Sequence, residues 1–155
     1  MKDKEKRIVV ILILALVLLD QLLKIIFLLT GAKIGNIESF SIGLLNITKS
    51  ENNFQYIFIA FIAIAALIRY INMNNTYLKI DTRIIISFAI AGVISNTIDR
   101  IWKQATINYI NIPRFTSINL GYLYIAIAWI GMAAILTKFT TERIKEKNEN
   151  KGRGN

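Results

Sequence analysis

Asp20 and Lys24 stand four residues apart inside an otherwise apolar run, "IVVILILALVLLDQLLKIIFLLT", residues 8–30. A second apolar run ends "GVISNTIDR", with Gly92, Asn96, Asp99 and Arg100 at helical offsets of 0, 4, 7 and 8. Two carboxylates, an ammonium, a guanidinium and an amide thus lie where hydrocarbon is expected. The chain has no His and no Cys. That removes Ser-His and Cys-His nucleophiles, disulfides and the usual zinc sites, so neither a metal nor a cofactor is expected. Whatever chemistry occurs must then use Asp, Glu, Lys, Ser, Thr or Tyr.

An ionisable residue inside a membrane span is costly and should face protein or water, so each is a site hypothesis by default. Asp20 lies roughly 18 Å along its helix from Ile8, at about 1.5 Å per residue. Lys24 follows on the same face, where an i,i+4 Asp–Lys pair is favourable. The competing reading is an internal pair that lets Lys24 reach the interface. Asp99 at a helix C-terminus opposes the macrodipole, whereas Arg100 suits it. Asp99 therefore needs a cation or specific donors, and Arg100 beside it is the expected partner. Gly92 would let a neighbouring helix approach closely.

The elements that position these groups follow from hydropathy. Of 155 residues, 54% are hydrophobic, and the long uncharged runs indicate an all-α membrane protein rather than a soluble domain. Four transmembrane helices are expected, over about 8–30, 55–71, 83–98 and 120–139. They make one membrane domain of residues 1–140, followed by a charged tail, 141–155, expected to fray. The third span is short, as if its polar end dipped below the membrane surface. The loop at 31–54 contains "FSIGLLNI", which suits a small amphipathic or β-like segment at the interface. The loop at 99–119 is expected to face outward, with a turn near Pro113 and Arg114.

The net charge of +9 comes mostly from residues flanking the spans. Lys2, Lys4, Lys6 and Arg7 precede the first; Arg69, Lys79 and Arg83 separate the second and third; Lys138, Arg143, Lys145, Lys147, Lys151 and Arg153 follow the fourth. The positive-inside rule then puts both termini in the cytoplasm. The basic segments carry no aromatic interleaving, so nucleic acid is not expected as a partner. Trp102, Tyr109, Phe115, Tyr122 and Tyr124 are expected as an interfacial aromatic belt.

"LDQLLK" at 19–24 and "GVISNTIDR" at 92–100 resemble two signature blocks of the lipoprotein signal peptidase (signal peptidase II) family. Span number, orientation and block order agree over nearly the whole chain. The resemblance implies a bacterial inner-membrane aspartic peptidase that removes signal peptides ahead of a lipidated Cys. It also implies two catalytic aspartates, and here the chain departs. Twelve residues beyond Asn96 stands Asn108, and in "INLGY" Asn119 matches a family Asn while Tyr122 replaces the second Asp. Asn52 and Phe54 in "ENNF" match a further block.

Asn108 cannot exchange a proton at neutral pH, and a tyrosine such as Tyr122 is a poor base. The carboxylates left on the outer side or in the membrane are Asp20, Glu38, Glu51 and Asp99. A rebuilt pair would have to be Asp20 and Asp99. The leading expectation is a catalytically inactive homologue binding a lipoprotein signal helix, or another membrane partner, in an outward groove. Asp20, Lys24, Asn52, Asn96, Asp99, Arg100 and Asn119 would organise that groove. An active peptidase with a non-standard carboxylate pair and a structural subunit of a membrane complex remain the rivals.

Overall fold

The computed structural model describes residues 3–31, 41–49, 52–73, 79–114 and 116–152. Four helices carry the chain: α1 (Asp3–Thr30), α2 (Asn53–Met73), α3 (Ile80–Lys103) and α4 (Leu120–Gly152). Each contains a segment long and apolar enough to cross a bilayer: Lys4–Thr30, Asn53–Ile71, Ile80–Lys103 and Leu120–Lys145. Strands β1 (Ser41–Lys49), β2 (Ala105–Ile112) and β3 (Thr116–Ile118) form an antiparallel sheet with β2 in the centre. The protein is therefore an all-α membrane protein with one small sheet.

Helix α3 is the hub. Half of its apolar window is buried, against 6% for α2. Among the described residues it packs on α1, α2 and α4, and α2 packs chiefly on α3. On α1 the buried stripe is Val17, Asp20, Lys24 and Phe27, while Leu18, Leu22, Ile25 and Ile26 are exposed. The two charges therefore lie on the face turned to the bundle, and the leucines and isoleucines face outward. A salt bridge from Arg83 to Glu5, 3.6 Å, ties the starts of α3 and α1 together.

Two expectations are corrected. The third span is not a short 83–98 segment but runs over Ile80–Lys103. Asp81 in its first turn and Arg100 and Lys103 in its last complement the helix dipole. The tail does not fray after residue 140: α4 continues to Gly152, through a stretch rich in helix-forming Glu, Lys and Arg. Arg143 also lies over the Phe139 ring, 4.9 Å from its centroid. The second loop also supplies β2 and β3.

The expected β-like segment is β1, which pairs Lys49 with Ala105 and Ser41 with Asn111, with an irregularity between Ile42 and Asn46. β2 turns back through Pro113 and Arg114, the latter left-handed at φ 60°, and β3 pairs only with Ile110–Ile112. The lower half of β2 thus lacks a partner strand on that edge. Helix side chains take its place. The Ile107 N–H donates to Asp99 Oδ2 at 3.3 Å, and the Ile107 carbonyl accepts from Asn119 Nδ2 at 3.0 Å. These bonds seat the sheet on α3 and the start of α4.

Candidate functional site

Lys24 Nζ lies 2.5 Å from Asp20 Oδ2 and 2.8 Å from Asp99 Oδ2, and all three residues are buried. The pair expected on α1 exists, but Lys24 does not reach the interface. It is held inside because a second carboxylate, from α3, competes with water for its ammonium. Asp99 in turn is not partnered by Arg100. Being one residue further round the helix, Arg100 points towards α2, where it donates to Asn53 Oδ1 at 3.4 Å. Its guanidinium also lies 4.3 Å from the Tyr56 ring centroid.

The surrounding hydrogen bonds have a fixed direction. Gln21 Nε2 donates to Ser95 Oγ at 2.9 Å, and Ser95 Oγ donates to Asp20 Oδ2 at 2.5 Å. The Leu120 N–H donates to the Tyr109 hydroxyl at 3.2 Å, and that hydroxyl donates to Asp20 Oδ1 at 2.7 Å. Asp99 accepts from Gln21 Nε2 and from the Ile107 N–H, each at 3.3 Å. Each carboxylate thus receives two donors besides Lys24. Such a shell suits ionised carboxylates, which only accept. Burial, and then the charge of Asp20, push the Tyr109 hydroxyl above its ordinary range, which keeps it a donor.

Tyr109→Phe is expected to cost about 1–3 kcal/mol, because it strips a buried carboxylate of one of its donors. A drop in the thermal midpoint in detergent measures it; an unchanged midpoint would mean that Asp20 does not depend on this bond.

A second network surrounds Asn119. Its Nδ2 approaches Asn96 Oδ1 at 2.8 Å and Asn108 Oδ1 at 3.2 Å, besides the Ile107 carbonyl. Its Oδ1 accepts the Tyr122 N–H at 3.0 Å, so Asn119 is the N-cap of α4. Asn108 is buried within this amide group, whereas the Tyr122 side chain is 37% exposed. Among the described residues no group of three His, Cys, Asp or Glu side chains could hold a metal ion.

The four-residue face of α3 divides among four neighbouring elements. Gly92 and Asn96 meet α4, Asp99 meets α1 and β2, and Arg100 meets α2. In "ENNF" it is Asn53 that turns inward, donating to the Gln104 carbonyl at 2.7 Å and so holding that residue's left-handed φ of 53°. Asn52 is exposed, and its carbonyl accepts the Tyr56 N–H. Of the aromatic residues read as a belt, Trp102 is 84% exposed, but Tyr109 and Tyr124 are buried. They are drawn inside because Tyr109 serves Asp20 and stacks on Phe27, and Tyr124 packs edge-on to Phe88. Phe115 lies outside the described residues.

Gln21 and Ser95 also belong to the site, though the sequence does not single them out, and Tyr109, expected in the belt, joins them. Ser95 sits four residues before Asp99, on the same helical face, which was the available signal.

Beside these networks, an apolar groove of about 310 Å³ opens between α2 and α4 with α3 as its floor. Small residues Ala63, Ala89 and Ala128 line it together with Leu67, Val93 and Trp129. None of Asp20, Lys24, Asn96, Asp99 or Asn119 lines it.

The overall fold is similar to that of solved structures. One is a bacterial membrane enzyme determined by the in meso method at 2.3 Å, with TM-score 0.75, 20% identity, 86% of this chain and 90% of that chain covered. A second, a bacterial membrane enzyme determined likewise at 1.9 Å, gives TM-score 0.73, 22% identity, and 83% and 91% coverage. The fold of this chain is similar to that of both structures. No family model matches the sequence, and no curated protein matches it. At these identities the likeness is one of fold, in a multi-pass membrane protein.

Proposed function

We propose that this protein is a signal peptidase II-like protein of the bacterial inner membrane that keeps the scaffold without the peptidase activity. In this reading it receives a membrane-embedded helix, such as a lipoprotein signal helix, in the groove between α2 and α4. The carrying observation concerns the carboxylates. The positions that the family resemblance makes catalytic hold Asn108 and Tyr122, and the candidate replacements, Asp20 and Asp99, both contact one ammonium. A catalytic pair needs a proton between its carboxylates. Here Lys24 takes that place, its ammonium held between the two carboxylates.

The roles of the site residues divide by exposure. Asp20, Lys24, Asn96, Asp99 and Asn119 hold helices and sheet in register, while Asn52, Arg100 and Tyr122 remain partly or fully exposed for contact with a ligand. The basic residues gather where α1 and α3 begin and α2 and α4 run out. The positive-inside rule supports that end as cytoplasmic, with both termini inside, residues 1–140 as the membrane domain and 141–155 as a charged cytoplasmic segment.

The test is reconstitution with a lipid-modified prolipoprotein carrying a fluorescent signal helix. The expected result is binding without cleavage, with binding lost when Ala89→Leu fills the groove floor. Cleavage that disappears with Asp99→Ala would overturn the reading in favour of an unusual peptidase. Co-purification of a protein that covers the groove and excludes the signal helix would overturn it in favour of a structural subunit.

A further inference from the structure

A second cleft, of about 580 Å³, opens at the basic end of the bundle, between the last turns of α2, the first turn of α3 and the middle of α4. Its lining has two chemistries. Met132, Ile135, Leu136 and Phe139 of α4 form an apolar wall, of which Leu136 and Phe139 are more than half exposed. Lys79 and Asp81 from the start of α3, with Lys138 and Glu142 from α4, add charge. Met132 also lines the apolar groove, so the cleft continues towards hydrocarbon. It sits at interfacial depth, where the apolar window of α2 ends at Ile71 and that of α3 begins at Ile80.

Among the described residues none of these four charges is in an ion pair with another. Their signs cancel, two ammonium groups against two carboxylates. A net anion would gain from the lysines but meet the carboxylates; a ligand carrying both signs gains from both. The N-cap of α3, Lys79, makes no side-chain capping bond, which leaves first-turn N–H groups for an acceptor oxygen. A phosphate suits that place, in a cleft whose cations are Lys79 and Lys138. A primary ammonium fits Asp81 and Glu142, to which it can donate hydrogen bonds. The apolar wall fits an acyl chain.

We infer that this cleft binds an aminophospholipid, with its phosphate on Lys79 and Lys138, its primary ammonium on Asp81 and Glu142, and an acyl chain along Leu136 and Phe139. This goes beyond the proposed helix-binding role and does not depend on it.

Native mass spectrometry of the full chain, released from nanodiscs with equal phosphatidylethanolamine, phosphatidylcholine and phosphatidylglycerol, tests it. The expected result is retention of phosphatidylethanolamine by about tenfold over either competitor. The variant Asp81→Asn with Glu142→Gln should bring phosphatidylethanolamine down to the level of phosphatidylcholine, whose quaternary amine donates no hydrogen bond. Lys79→Gln with Lys138→Gln should lose both lipids. All four residues are at the surface, and an unchanged thermal midpoint verifies that the variants fold. Equal retention of phosphatidylethanolamine and phosphatidylcholine by the native chain would overturn the inference. So would a preference for phosphatidylglycerol, which would mark an anion site. Displacement of the lipid by equimolar water-soluble phosphoethanolamine would overturn the part assigned to the apolar wall.

Discussion

Lys24→Met should lower the unfolding free energy by about 3–5 kcal/mol, a loss in the range of buried ion pairs broken by removing one partner. The change keeps most of the side-chain volume, so little of the effect is cavity. It leaves Asp20 and Asp99 in a buried site, facing the space where the ammonium stood, with no cation to offset either. Ser95, Tyr109, Gln21 and the Ile107 N–H would remain as donors. Neutral donors soften the repulsion between two carboxylates but do not cancel it. Thermal unfolding in detergent or bicelles measures the loss. A combined Asp20→Asn, Lys24→Met and Asp99→Asn variant should regain most of it, since replacing a whole buried charge group is often close to neutral. The three changes should therefore be strongly non-additive. A Lys24→Met protein as stable as the parent would mean that the cluster does not hold α1 to α3.

Gly92→Ala should cost about 1–3 kcal/mol, at the upper end of what one added methyl costs in a packed interior. A Cβ there would run into the backbone carbonyl of Gly121 and lie 2.8 Å from Ile125 Cγ1. Backbone cannot rotate aside, so α3 and α4 must part. Parting them also strains the Asn96–Asn119 bond just along the seam. Gly131→Ala is the control, because its Cβ would meet only Ile85 side-chain atoms, the nearest at 2.9 Å. A side-chain tip can move, and this loss should be clearly smaller. Equal midpoints for the two variants would show that the α3–α4 seam yields more readily than its backbone contact implies.

What the sequence made legible follows from how strongly each feature is driven. Four spanning helices were readable because hydrocarbon burial acts on every residue of a run. Asp20, Lys24 and Asp99 were readable because charge in such runs is costly. Who partners whom was not: Asp99 neighbours Arg100 in the chain, yet the helix turns them to different elements. Uncharged Gln21, Ser95 and Tyr109 carry no such cost and are marked out only by what surrounds them. β2, "ATINYINI", is rich in β-branched and aromatic residues, a usable strand signal. Its partner edge could not be foreseen, since half of that edge is supplied by side chains from helices.

The lean of α2 chiefly on α3 has a mechanical meaning. Every charge in the buried cluster, and every amide around Asn119, belongs to α1, α3, α4 or β2. α2 is joined to this assembly through one helical seam and through Asn53, which reaches Gln104 and Arg100 at the end of α3. Among the described residues the gap beside α2 is thus bounded by one seam, as a door leaf hangs on one jamb.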